Sequence, residues 1–224
     1  MKVFTVVGTS GSGKTTTIEA VVAEFARRGC RIGSVKEIHY DAFEIDPNPG
    51  SNTHRHRAAG AAPVAARGAR ETDLLYPGKL PMQEILRHYR DCDWVALEGV
   101  DDLPVPAVIC AHSEAMLEQK WRANAVCVAG RAAGQLKEYR GAPAFNALTE
   151  AAALCDYLEA RTPDYLACYD PADPDVGAEI KLTIDGREIR MVPFVQKILR
   201  NAVLGVAREL EGYREGAALE LWTK

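Results

Sequence analysis

The feature that most constrains this chain is the octapeptide Gly8-Thr9-Ser10-Gly11-Ser12-Gly13-Lys14-Thr15, which fits G-x-x-x-x-G-K-[ST] at every fixed position. Such a loop needs a buried strand before it and a helix after it. Both are written in the pattern. Lys2 to Val7 is a short apolar run with β-branched residues. From Lys14 onward Ile18, Val21, Val22 and Phe25 share one helical face, and Gly29 closes the helix. The glycines let backbone N–H groups turn inward around the α/β-phosphates, at a helix N-terminus whose dipole favours anions. Gly8, Ser10, Gly11, Ser12, Gly13, Lys14, Thr15 and Thr16 are therefore expected to contact a nucleoside triphosphate. Lys14 reaches the β/γ-phosphates and the Thr15 hydroxyl ligates Mg²⁺. The competing reading, a glycine-rich turn with a solvated lysine, does not explain the strand and helix on either side.

The rest of the chain alternates in the same way. Arg31 to Lys36 reads as the next strand, Trp94 to Leu97 and Ala107 to Ala111 as buried strands, and Ala125 to Ala129 as one more strand. Met82 to Tyr89 and Thr149 to Leu158 read as helices, the latter capped by Thr149. Strands alternating with helices predict an α/β fold, a mostly parallel twisted sheet flanked by helices on both faces. Residues 1–162 are expected to form this P-loop nucleotide-binding domain, with 163–177, rich in Pro, Asp and Tyr, as a linker. Residues 178–224 form a small ββα(β) unit: a hairpin turning at Asp185-Gly186, with Leu182 facing Ile189 and Ile180 facing Met191. A helix opened by Pro193 follows it, and Ala217 to Trp222 adds a last strand. Nothing in that extension carries obvious chemistry, which favours a structural or dimerisation role.

A net charge of −4 and a pI near 5.8 argue against generic nucleic-acid binding. No apolar run approaches the roughly 18 residues that a membrane span needs. A phosphate loop beginning at residue 8 leaves no room for a cleavable signal peptide, so a cytoplasmic protein is expected. The six cysteines are dispersed, without a C-x-x-C pair, and read as buried reduced thiols.

A P-loop also needs an acidic group at the end of a neighbouring strand to hold Mg²⁺ or its water. Glu98 is the candidate, because Trp94-Val95-Ala96-Leu97 runs straight into Glu98-Gly99. Asp93 begins the same strand, about 16 Å away at the usual rise per residue, and cannot share the site. Lys14 and Glu98 are thus the expected catalytic residues, and Gly99 is expected to bring its N–H near a γ-phosphate. Asp is the usual residue at the position of Glu98, and a solvated turn carboxylate is the alternative.

Together these segments resemble the MobB family, the GTP-binding accessory proteins of molybdopterin-guanine dinucleotide biosynthesis. The likeness rests on GTSGSGKTTTIEAVVAEFARRG (8–29), IGSVKEIHYDAFEIDPNPGSNTHRHRAAGA (32–61), DWVALEGV (93–100) and the region through Leu158. The second segment is the most specific, since a generic P-loop kinase has no reason to contain it. The resemblance covers roughly residues 1–160. It implies a dimeric SIMIBI-class P-loop NTPase that binds GTP and Mg²⁺, hydrolyses GTP slowly, and supports a partner nucleotidyltransferase in coupling GMP to molybdopterin. The chain departs from the family where a run of histidines often follows the lysine: here Lys36-Glu37-Ile38-His39-Tyr40-Asp41 leaves His39 as the one aligned candidate. An N-K-x-D guanine reader is also absent, and Ala129-Gly130-Arg131-Ala132 offers no aspartate in its place. GTP is therefore implied by the family and not by these residues.

Between Asp46 and Glu71 the chain holds no acid, but it holds Arg55, Arg57, Arg67, Arg70, His54 and His56. A local positive field in an acidic protein suits a polyanion, so Arg55 and Arg57 are expected at the nucleotide or at the phosphate of molybdopterin or its guanine dinucleotide. A solvated helix face is the alternative. Asp46 and Asp41, which follow the second strand, are further candidates to assist Mg²⁺. His54 and His56 share a metal only if their stretch is extended, because residues two apart on a helix point away from each other. His88 and His112 look incidental. A small-molecule kinase using ATP, with the Arg55–Arg70 region as its lid, is the competing functional reading. A metallochaperone lacks support because no cysteine-rich metal motif is present, and a non-hydrolysing adaptor remains a further alternative.

Overall fold

The apolar runs become the strands that the pattern predicts. The computed structural model describes residues 1–40, 42–165, 182–184, 187–189, 193–207 and 209. Two compact units emerge, one made of Met1–Lys36 with Asp91–Lys224 and the other of Glu37–Arg90.

The first unit is built on β1 (Lys2–Gly8), β2 (Ile32–Lys36), β5 (Trp94–Glu98), β6 (Ala107–Cys110) and β7 (Ala125–Ala129). They form one five-stranded sheet in the order β2-β5-β1-β6-β7, and every pairing is parallel. The chain fills the β5 side of β1 first and then crosses to the β6 side, so β1 lies at the topological switch point. In open parallel sheets the crevice at the carboxyl ends of the strands beside that point is where ligands bind. The P-loop leaves β1 at that end.

Alternation along the strands loads both faces. Phe4 and Val6 pack with Ile18, Val21 and Phe25 of α1 (Lys14–Arg27) and with Leu154 and Leu158 of α5 (Ala151–Arg161). Phe25 stacks on Trp94 at 4.3 Å between ring centroids, which ties α1 to β5. Val7 and Ile109 face the opposite side, against Leu117 of α4 (Glu114–Lys120) and Ala132. The expected stripe on α1 is buried as read, with Val22 partly covered, and Gly29 follows the helix at φ 83.

Thr149 does not cap α5. The helix starts two residues later, with Glu150 at the N-cap, because the Asn146 carbonyl accepts the N–H groups of both Thr149 and Glu150. Between β7 and α5 lie a 3₁₀ turn (Arg131–Gly134) and the short pair β8 (Glu138–Tyr139) and β9 (Ala142–Pro143). The C-terminal hairpin pairs β10 (Leu182–Ile184) with β11 (Arg187–Ile189) in the expected register, Leu182 opposite Ile189, and α6 (Pro193–Ala207) follows. The expected pair Ile180–Met191 and the last strand at 217–222 lie outside the described residues. Cys110, Cys127 and Cys155 are buried and free, whereas Cys30 and Cys92 are free but only half-buried, and burial pushes the Cys110 thiol up to about 11; Cys168 lies outside the described residues.

The second unit contains α2 (Asn52–Ala58), a hairpin of β3 (Val64–Arg67) and β4 (Thr72–Leu75), and α3 (Met82–Arg87). Sequence pattern gave no hint of that hairpin. Its first strand, Val64-Ala65-Ala66-Arg67, is half alanine, which carries little strand preference of its own.

Candidate nucleotide-binding site

The P-loop wraps the N-terminus of α1. Gly11 and Gly13 hold positive φ, 69° and 103°, and Gly13 is the N-cap, with no side-chain cap and no acid in the first helical turn. The leading N–H groups of the helix thus face outward without a carboxylate to satisfy them, an arrangement suited to an anion. Inside the loop, buried Ser12 donates its hydroxyl to the Thr9 carbonyl at 2.8 Å, and Lys14 Nζ donates to the same carbonyl at 2.7 Å. Lys14 therefore arches back over the loop, where a β- or γ-phosphate would draw it. The buried Thr9 Oγ1 has no hydrogen-bond partner among the described residues.

Glu98 ends β5 beside the loop, as its sequence position predicts. Its Oε1 accepts from Thr15 Oγ1 at 2.9 Å and from Lys36 Nζ at 2.9 Å. Partial burial opposes its charge, but the hydrogen bonds from Lys36 and Thr15 and the nearby ammonium of Lys14 outweigh that penalty. The carboxyl is held below its ordinary value. Thr15 and Glu98 thus present two hard oxygens at one point, the donor chemistry Mg²⁺ takes. Lys36 ends β2, next to β5 in the sheet, and nothing in the sequence pattern placed it in this cluster.

Gly99 does not offer the contact expected of it. Its N–H donates to the Val6 carbonyl at 2.9 Å and closes the β1–β5 pairing. His112, by contrast, is not incidental: its Nε2 lies 3.0 Å from the Ser10 carbonyl, and its ring sits beside Gly11.

The loop is braced from β7. Gly130, at φ 72, lies against Ser12 so closely that an added Cβ would stand 2.2 Å from the Ser12 carbonyl oxygen. Arg131 N–H donates to that same carbonyl at 3.1 Å. Beyond this brace a cavity of about 520 Å³ opens over the loop, lined by Gly13 to Thr17 of the P-loop and α1, by Gly130, Arg131 and Gly134, and by Asn146, Ala147 and Leu148. The last two groups were missed from sequence because no fixed spacing ties them to the P-loop. A glycine directly after an apolar strand, at the same sheet edge as the loop, was the one available signal at Gly130.

The remaining expected residues lie in the second unit. Asp46 accepts from Ser51 Oγ at 2.8 Å and from Thr53 Oγ1 at 2.5 Å, and these bonds hold its carboxyl below the ordinary value. Arg57 donates to the Asp46 backbone carbonyl at 2.5 Å, with its guanidinium 3.9 Å from Oδ2. Asp46 and Arg57 thus fasten the loop to the first turn of α2, while Arg55 is exposed. Residues 52–58 are helical, which removes the extended geometry that His54 and His56 needed to share a metal. Among the described residues no group of three or more His, Cys, Asp or Glu is placed to hold a metal ion, and no helix is long and apolar enough to cross a membrane. Asp41 lies outside the described residues.

Comparison with known proteins agrees with this geometry. A probable molybdopterin-guanine dinucleotide biosynthesis adapter protein of Bacillus subtilis is 28% identical over 144 residues, covering 63% of this chain and 83% of the relative. A molybdopterin-guanine dinucleotide biosynthesis adapter protein of Haemophilus influenzae is 26% identical over 113 residues, covering 49% and 62%. The crystal structure of Bacillus subtilis MobB superposes with a TM-score of 0.59 at 25% identity, covering 73% of this chain and 99% of that one. A MobB homologue from Bacillus stearothermophilus gives 0.54 at 26% identity, covering 71% and 99%. The family model for MobB, molybdopterin guanine dinucleotide synthesis protein B, matches residues 3–130, more than half of the 224-residue chain, and the chain therefore belongs to the MobB family.

Proposed function

We propose that this protein is a GTP- and Mg²⁺-binding adapter of molybdenum cofactor biosynthesis that assists a partner nucleotidyltransferase in making molybdopterin-guanine dinucleotide. The observation that carries this reading is the acid-free, uncapped N-terminus of α1 under its P-loop, opening into a cavity at the switch point of the sheet. Two relatives named as biosynthesis adapter proteins supply the pathway.

In this reading the α1 N–H groups hold the phosphates, and Lys14 exchanges the Thr9 carbonyl for the β- and γ-phosphates. Thr15 and Glu98 hold Mg²⁺, with Lys36 moving off Glu98. When bound, the ion neutralises phosphate charge. Hydrolysis is slow unless the partner completes the site, because Glu98, the acid beside the loop, is engaged by Thr15 and Lys36 and is assigned to the metal. A cytoplasmic homodimer is part of the same proposal.

Side-by-side calorimetric titration of GTP and ATP analogues with Mg²⁺, followed by phosphate release with and without the nucleotidyltransferase, tests it. Selective GTP binding with slow turnover is expected. ATP preference with rapid phosphoryl transfer to a small acceptor would make the protein a kinase.

A further inference from the structure

The cavity over the P-loop continues past the phosphate-binding residues to Gly134, Asn146, Ala147 and Leu148, which gives a base room beyond the phosphates. The loop that carries Asn146 is fastened on every side but one. The Asn146 N–H donates to Glu150 Oε2 at 2.7 Å, and its carbonyl accepts from Thr149 and Glu150. Phe145 N–H, one residue earlier, bonds the Val128 carbonyl of β7 at 2.9 Å. In the side chain, Oδ1 accepts the Leu148 N–H at 3.2 Å. An amide has one acceptor end and one donor end, so that bond decides which way the group faces. The Leu148 N–H takes the oxygen, and the Nδ2 amino group is left as a donor with no protein partner among the described residues. Beside it, Leu148 lines the cavity while 75% exposed, an apolar side chain in water where a flat ring would cover it.

A donor fixed in this way discriminates between purines at the six position. Guanine presents the O6 acceptor there, and adenine presents the N6 amino donor. Donor against acceptor makes a hydrogen bond; donor against donor leaves both unpaired as the ring closes over the site.

We propose that Asn146 is the base-specificity residue of this site: its Nδ2 amino group reads the six-position carbonyl of a purine nucleotide lying against Leu148, and the guanine two-amino group is not read. This rests on the triphosphate binding through the P-loop as set out above. It accounts for guanine selection by a chain without the N-K-x-D aspartate, since that aspartate reads the N1–H and two-amino donors on the other side of the ring.

The test is calorimetric titration of the full chain with Mg²⁺ and non-hydrolysable analogues of GTP, ITP and ATP. Hypoxanthine keeps O6 and lacks the two-amino group. GTP and ITP analogues should bind within about threefold of each other, with the ATP analogue about tenfold weaker or more. Asn146→Asp keeps an oxygen for the Leu148 N–H but turns an acceptor toward the base, so the GTP-to-ATP affinity ratio should fall about tenfold or invert. Reading the ratio cancels any general effect of the added charge on the phosphates. Asn146→Ser, whose hydroxyl is too short to reach the base, should bring the ratio toward one and serves if the aspartate variant does not fold. An unchanged ratio in the variant, or an ITP analogue bound as weakly as the ATP analogue, overturns the assignment and leaves GTP binding by the P-loop intact. Failure of wild-type protein to bind any triphosphate overturns the P-loop reading itself, and this assignment with it.

Discussion

Gly130→Ala is the sharpest probe of how the phosphate loop is held. The wild-type residue sits at φ 72, and a methyl group there would stand 2.2 Å from the Ser12 carbonyl oxygen and 3.1 Å from Cys110 Cβ. The left-handed backbone alone costs a residue with a Cβ about 1–2 kcal/mol. The contact with Ser12 cannot be relieved by a side-chain rotation, because the atom struck is backbone. The loop has to retreat by about 1 Å to restore van der Waals distance. That retreat also breaks the Arg131 N–H bond to the same carbonyl, now 3.1 Å, for about 1 kcal/mol more. The total is about 2–3 kcal/mol. Gly141→Ala is the matched control: Gly141 has nearly the same φ, 77°, but nothing within 4 Å of its added Cβ, so it should lose only the conformational part, about 1–2 kcal/mol. Urea unfolding of the two variants gives the comparison. Titration with a GTP analogue gives the functional half: a displaced loop loses at least one backbone–phosphate hydrogen bond, about tenfold in affinity, only in Gly130→Ala. Equal destabilisation of the two variants, with wild-type affinity in both, would refute the interlock.

Lys14→Ala forfeits one hydrogen bond in the ligand-free protein, to the Thr9 carbonyl. It should unfold within about 1 kcal/mol of wild type yet lose triphosphate binding, and retained micromolar affinity by calorimetry would remove Lys14 from the phosphate site. Glu98→Gln keeps the shape but drops the charge, so the Mg²⁺ concentration needed for half-maximal GTP-analogue binding should rise about tenfold or more; an unchanged requirement would take Glu98 out of the metal site. Because the folded carboxyl lies below its ordinary value of 4.5, the stability it supplies is fully present above that value and lost as pH falls through the lower folded one. Wild-type stability relative to Glu98→Gln should therefore shrink only below pH 4.5 in a denaturation series. Arg57→Ala should cost about 1 kcal/mol by losing its bond to the Asp46 carbonyl, and Arg55→Ala about 0.5 kcal/mol or less. A neutral Arg57→Ala that weakens ligand binding would return Arg57 to the ligand. Deleting residues 178–224 should spare GTP-analogue binding; loss of binding would show that the extension is part of the nucleotide domain.

What was legible in the sequence is what short-range chemistry decides. The P-loop declares itself because glycines, lysine and threonine must stand at fixed offsets for one backbone turn to surround a phosphate. Glu98 declares itself because a strand buried on both faces leaves no reason for a carboxylate until the strand ends. The strands β1, β5, β6 and β7 were readable for the same reason, as mostly apolar runs. The compact unit of Glu37–Arg90 was not. Its hairpin is short, with a first strand that is half alanine, and a run of arginines and histidines looks the same on a solvated helix as in a loop fastened by Asp46. The two arginines of that run illustrate the difference: charge count treats Arg55 and Arg57 alike, but only Arg57 is spent on the chain's own backbone.

The far half of the cavity was illegible for a different reason. Gly130 meets Ser12 over Cys110 at the end of β6, the strand between β1 and β7 in the sheet, and no spacing along the chain encodes that order. Asn146 is further removed still, since its meaning depends on which end of one amide the Leu148 N–H takes. This division has a consequence for mutants. In the proposed reading the residues from Gly8 to Thr16 meet phosphates, which every nucleotide shares, so changes there should lower affinity for all triphosphates together. In the same reading Asn146 meets only the base, so changes there should alter the ratio between nucleotides without abolishing binding. A protein whose phosphate half is local in sequence and whose base half is assembled by topology can change its nucleotide preference without touching the motif by which it is found.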